Sequence, residues 1–83
     1  MDFSSIVQVI TCPITQDVMN DPVTGNDGYT YERSAITQAL LIKSESPMTR
    51  IYMTINDLTV NPSIRFLCDK YHNGEITTNQ TIL

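Results

Sequence analysis

Three side chains in this sequence have the chemistry to hold a transition metal: Cys12, Cys68 and His72. Cys68 and His72 stand four residues apart, a spacing that puts two ligands on one face of a helix. A structural zinc ion takes four cysteine or histidine ligands, so a chain that offers three in total falls short. The better reading is a buried cysteine and a surface histidine. Two cysteines are also too few for a disulfide framework. The charged residues exclude a second class. Arg33, Lys43, Arg50, Arg65 and Lys70 are the only basic residues among 83, they form no patch, and the net charge is −4. Nucleic-acid binding therefore has no electrostatic footing. No apolar run approaches membrane-spanning length, and the N-terminus carries no signal-peptide pattern. The expectation is an intracellular, cytoplasmic protein with no membrane contact and no cofactor.

The elements that must position these residues follow from turn and helix signals. A chain of 83 residues makes one small domain that hides only roughly 60–65% of its unfolded surface. Residues 1–8 read as an arm, extended or briefly helical, with Val9 and Ile10 reaching the core. Cys12-Pro13-Ile14-Thr15 is a loop with an apolar tip, because Pro13 has no amide to donate and a fixed φ. Asp21-Pro22-Val23 opens a strand, since the residue before proline is pushed towards extended geometry. Gly25-Asn26-Asp27-Gly28 supplies residues that tolerate positive φ, and Tyr29-Thr30-Tyr31 is the return strand of a hairpin. Residues 32–43 have helical spacing at Ala35, Ile36, Ala39, Leu40 and Ile42 or Lys43. Glu32 in the first turn and Lys43 in the last would suit the macrodipole.

A second loop, residues 44–53, repeats the design of the first with a proline, a hydroxyl residue and one apolar tip. No internal repeat is evident. Thr54 followed by Asp57 suggests a single capped turn ending at Leu58. Asn61 as N-cap and Pro62 at the first helical position start a helix over 62–73. Its buried face is Ile64, Leu67, Cys68 and Tyr71, and Gly74 ends it. Residues 75–83 read as a flexible tail.

Loop, hairpin, helix, loop, helical turn and helix is thus the order of an α+β domain over residues 9–74. Together with CPIT, DVMNDPV, GYTYERSAI and SPMTR, and a leucine and an asparagine before the last helix, it resembles the U-box family of ubiquitin ligases. The resemblance implies a RING-like fold that lacks zinc, with polar contacts bracing the two loops. The three candidate ligands agree, being too few for a two-zinc RING domain. It also implies a partner, a ubiquitin-conjugating enzyme with ubiquitin on its cysteine. The domain would hold that thioester open to attack by a substrate lysine and form no covalent intermediate of its own.

On this resemblance Pro13, Ile14 and Gln16 of the first loop, Ala39 of the central helix, and Ser46 and Pro47 of the second loop contact the conjugating enzyme. Arg50 bridges that enzyme and ubiquitin, for a guanidinium can reach two carbonyl acceptors at once. Asp17, Glu32, Arg33, Asp57, Asn61 and Arg65 form the pool expected to brace the loops. Asn61 leads it, because one amide can cap a helix and also reach a loop carbonyl. Two positions depart from the family pattern. Gln16 stands where many members carry a leucine or phenylalanine, and Ala39 where many carry a tryptophan or another large side chain. The alternative is therefore a binding or dimerisation module of the same fold without ligase activity, self-associating as a homodimer through the hairpin and last helix.

Overall fold

The computed structural model describes residues 3–75. Residues 1, 2 and 76–83, and with them nearly all of the expected tail, lie outside the described residues. Helix α1 (Phe3–Val9) takes up the helical form of the arm and runs across residue 8. Thr11 closes it, donating from Oγ1 to the Val7 carbonyl at 2.6 Å. Ile10 is fully buried, whereas Val9 is exposed and does not serve the core.

The hairpin forms where Pro22 and the Gly-rich turn place it. Strands β1 (Pro22–Thr24) and β2 (Thr30–Glu32) pair antiparallel, with Val23 opposite Tyr31. Both of these side chains point into the core, as period-2 alternation requires. The turn glycines differ in their reasons. Gly28 has φ +84 and supplies the left-handed residue. Gly25 does not; a Cβ there would lie 2.6 Å from Met53 Sδ. It is needed for close approach, not for turn geometry as the sequence suggested. A third strand, β3 (Thr59–Val60), adds to the far side of β1 and gives the order β2-β1-β3. Two residues carry no periodicity, so nothing in the sequence announces this strand.

Helix α2 (Arg33–Ile42) buries Ile36 and Leu40, while Ile42 is exposed. Glu32 is its N-cap and Lys43 its C-cap, so neither lies inside a helical turn. The pair thus stands at the helix ends and not in the first and last turns as expected, and the Glu32 carboxylate accepts the Asn20 and Asp21 amides. A single 3-10 turn follows at Ile55–Asp57. Asp57 Oδ2 accepts from the Thr54 N–H at 2.8 Å, the capping exchange read from the sequence. Helix α3 (Pro62–His72) starts on Asn61, whose Oδ1 accepts from the Ile64 N–H at 3.1 Å. Cys68 is buried and Ile64, Leu67 and Tyr71 pack beside it. Gly74 follows at φ +81, as a helix end favours.

One core holds these pieces: Ile10, Cys12, Met19, Val23, Tyr31, Ile36, Leu40, Met53 and Cys68. It draws on the arm, both loop flanks, the hairpin and both long helices. No helix among the described residues is long and apolar enough to cross a membrane.

The Gly25–Met53 contact is a seam between hairpin and second-loop exit. Gly25→Ala should destabilise the domain by about 1–3 kcal/mol, because Met53 is buried and must move. Gly28→Ala, with open space around it, should cost only the strain of a left-handed alanine, about 1 kcal/mol. Urea unfolding of the two variants checks the order.

Candidate functional site

The two loops are built on one backbone plan. In the first, the Cys12 N–H donates to the Asp17 carbonyl at 2.9 Å and the Gln16 N–H to the Cys12 carbonyl at 2.9 Å. In the second, the Ser46 N–H donates to the Ile51 carbonyl at 2.8 Å and the Arg50 N–H to the Ser46 carbonyl at 3.0 Å. Isolated bridges close both stems, Thr11 with Val18 and Glu45 with Tyr52. Gln16 at φ +67 and Arg50 at φ +70 occupy the same left-handed position. Laid over each other, CPITQDVM and SPMTRIYM agree at proline, threonine and methionine. A short repeat is therefore present after all. Its identities are few because hydrogen-bond geometry, more than side-chain type, defines it.

At the head of each loop a small side chain turns inward and accepts backbone donors. Cys12 Sγ accepts from the Ile14 N–H at 3.3 Å and from the Glu32 N–H at 3.3 Å. Ser46 Oγ accepts from the Met48 N–H at 3.0 Å and the Thr49 N–H at 2.9 Å. Its own proton goes to Asp27 Oδ2 at 2.6 Å. Asp27 sits in the hairpin turn and also accepts from Tyr31 Oη at 2.6 Å and the Tyr29 N–H at 2.9 Å. The hairpin thus anchors both loops, the first at its Glu32 end and the second at its Asp27 end. Among the described residues no buried side-chain polar atom lacks a partner.

Burial alone would push the Asp27 carboxyl up. The hydrogen bonds from Ser46, Tyr31 and Tyr29 outweigh it and hold the group below the usual 3.8. Burial and the neighbouring Asp27 charge push the Tyr31 phenol well above its usual range, so it stays a donor.

The expected bracing pool is sorted by these contacts. Glu32 accepts from the Asn20 and Asp21 N–H groups at 2.7 and 2.9 Å, fixing the segment that leaves the first loop. Arg33 Nε and Arg65 Nη1 converge on Asp21 at 2.7 and 3.4 Å, joining α2 and α3 to the start of β1. Asn61 does cap its helix, but its Nδ2 reaches the Thr24 hydroxyl at 3.2 Å, not a loop carbonyl. Asp57 stays within its own 3-10 turn, so it braces neither loop to the other. Asp17 is exposed, and its carboxylate has no partner among the described residues. Asp27, Asp21 and Cys12 were absent from the pool. Only the Asp27 position, in a turn facing Tyr31, hinted at its role.

The expected partner contacts divide similarly. Ile14 is 38% exposed, Pro47 is exposed and Pro13 half-buried. Met48, the tip equivalent to Ile14, is 45% exposed and was not singled out. Ser46 is fully buried, so it shapes the loop and cannot touch a partner directly. Gln16 is exposed, but its Nε2 folds back to donate to the Pro13 carbonyl at 3.0 Å. Ala39 is half-buried against the core. Arg50 is 79% exposed at its side chain, with Glu45 Oε2 3.7 Å from its Nε.

The three metal-ligand candidates are committed elsewhere. Cys12 serves the loop backbone, and burial pushes the Cys68 thiol up to about 11. His72 Nε2 lies 3.0 Å from the Met19 carbonyl. No cluster of three or more potential ligands occurs among the described residues.

Two braced loops beside a three-stranded sheet and a helix make a RING-like domain. The RING finger-like domain of Retinoblastoma Binding Protein-6, solved in solution, superposes with a TM-score of 0.73 at 25% identity, covering 88% of this chain and 84% of that one. The chain belongs to the U-box family, whose U-box domain profile matches residues 6–75. It is 44% identical over 65 residues to the WD repeat, SAM and U-box domain-containing protein 1 of Danio rerio, covering 77% of this chain and 13% of that protein. It is 39% identical over 62 residues to the E3 ubiquitin-protein ligase PUB22 of Arabidopsis thaliana, covering 72% of this chain and 14% of that one. The chain therefore spans only a small part of the relatives it matches.

The Asp27 network should show itself in acid. A carboxyl with a lowered folded pKa contributes stability that is complete above its unfolded value, about 3.9. That contribution is lost as pH falls through the lower folded value. Wild type should lose stability below about pH 4, and Asp27→Asn should be weaker at pH 7 with a flatter acid limb. Ser46→Ala leaves Met48 and Thr49 amides unpaired and should cost about 1–3 kcal/mol. Thermal unfolding followed by tyrosine circular dichroism across pH measures both.

Proposed function

We propose that this domain is a ubiquitin ligase module that binds a ubiquitin-loaded conjugating enzyme and promotes transfer to a substrate lysine. Membership of the U-box family supports the reading, as does the presence of a named ubiquitin ligase among the relatives. The observation that carries it is the pair of matched loops. Each is held rigidly from behind and presents one exposed apolar tip, Ile14 or Met48. Solvent-facing apolar tips on braced loops are what a protein-binding surface needs.

The chemistry is positional. The substrate amine attacks the thioester carbonyl, the C–N bond forms as the C–S bond breaks, the conjugating enzyme's thiolate leaves, and the proton lost by the amine passes to solvent. No side chain of the domain joins that exchange. Ile14, Pro47 and Met48 grip the conjugating enzyme, and Arg50 donates to carbonyls of enzyme and ubiquitin together. Fixing the thioester in a reactive orientation can remove several kcal/mol from the barrier. A cytoplasmic setting suits this work, and the substrate is selected by chemistry outside these loops.

A second reading is favoured by two specific side chains. Gln16 closes its own loop and Ala39 is small and half-buried, so two positions that could anchor a partner contribute little apolar area. On that reading the domain binds or dimerises without activating transfer. Light scattering and a chemical-shift titration with a panel of conjugating enzymes separate the two.

Ile14→Ala should abolish autoubiquitination by weakening partner binding about tenfold or more, as truncating an interface anchor does. Arg50→Ala should slow ubiquitin discharge while leaving that binding intact. Treating the purified domain with a chelator should leave its melting temperature unchanged, and elemental analysis should find no stoichiometric zinc.

A further inference from the structure

We propose that Glu45 is a positioning residue for Arg50, biasing the guanidinium through an ion pair at Nε and leaving both terminal nitrogens available to the partner complex. The proposal rests on the ligase reading above and names a further residue of the same site.

The two matched loops make the case by contrast. At the left-handed position of the first loop, Gln16 bends back and spends its amide on the Pro13 carbonyl. Arg50 at the same position makes no such return. Its Nε faces Glu45 Oε2 at 3.7 Å, and among the described residues neither Nη has a partner. The stem residue explains the difference. Thr11 stands at the first-loop stem and donates to the Val7 carbonyl. Glu45 takes the matching place in the second loop and carries a charge instead.

Glu45 is a firm holder. Its backbone is fixed by the bridge to Tyr52 and by its N–H donating to the Lys43 carbonyl at 2.8 Å. Its side chain is only 25% exposed. Oε1 faces Lys43 Nζ at 3.6 Å, leaving Oε2 for Arg50. One carboxylate between two cations leaves a net positive charge, so Arg50 stays attractive to carbonyl oxygens. An arginine biased towards one side by an ion pair loses less rotamer freedom when it later bridges two chains. Exposed ion pairs are weak individually, so the effect is a modest one on orientation.

The test is single-turnover discharge of ubiquitin from a loaded conjugating enzyme to free lysine, using the full chain. Glu45→Gln should slow discharge about two- to fivefold at saturating domain with the half-saturation concentration unchanged. Glu45→Asp should recover part of the rate. On an Arg50→Ala background, Glu45→Gln should add nothing, which a merely structural role would not produce. The Arg50 Nε–H resonance of the free domain should shift on Glu45→Gln and be unmoved by Thr11→Ser. An Glu45→Gln rate equal to or above wild type, or an equal slowing on the Arg50→Ala background, overturns the proposal alone. A wild-type domain that accelerates discharge from none of a broad panel overturns the ligase reading and this proposal with it.

Discussion

Asp27 accepts hydrogen bonds from a hairpin tyrosine and from a serine in the second loop, and the latter takes its shape from that second bond. Ser46 is fully buried, so its hydroxyl could not stay unpaired without a cost of about 1–3 kcal/mol. With its proton fixed on Asp27, the same oxygen is free to accept two loop amides. The chain of cause runs from a carboxylate in a turn, through one hydroxyl, to the backbone of an exposed loop. Charge-assisted bonds at 2.6 Å suit this task because they are short and directional.

The first loop reaches the same backbone by other means. Cys12 offers a sulfur in place of a hydroxyl, and its second donor is the Glu32 amide across the hairpin. Sulfur is a weak acceptor, so this loop leans more on burial of Cys12 among Ile10, Met19 and Tyr31. Glu32 adds the firm contacts, clamping the exit of the loop with both carboxylate oxygens. One loop is held chiefly by a hydrogen-bond network and the other by packing plus a clamp. Both terminate on the hairpin, which makes β1 and β2 the frame of the site.

The sequence carried the elements well and their connections poorly. Asn61-Pro62 marked the start of α3, and the spacing Ile64, Leu67, Cys68, Tyr71 marked its inner face, because capping and helical periodicity are local. The hairpin was legible from Pro22 and the turn residues for the same reason. Strand β3 was not, being two residues long and defined only by its neighbour. The braces failed for a related cause. Asp27 meets Ser46, and Asp21 meets Arg33 and Arg65, across long stretches of chain. Residue type limits who can pair, but only the packed core decides who does. Ser46 was misjudged on this account, since a serine beside an exposed proline gives no sign of being buried. The family resemblance located the loops and left their interior unassigned.

The left-handed backbone at Arg50 sets stability against the role we propose for its side chain. A non-glycine residue there carries a conformational penalty of about 1 kcal/mol that glycine would escape. Arginine persists at a place where the fold itself would favour no side chain at all. On the proposed role of Arg50, glycine at this position would relieve the backbone and remove the guanidinium together, giving a decoy that binds without activating. The same logic says that laboratory selection for thermal robustness alone would tend to replace arginine with glycine here, erasing the side chain to which we assign the bridging role.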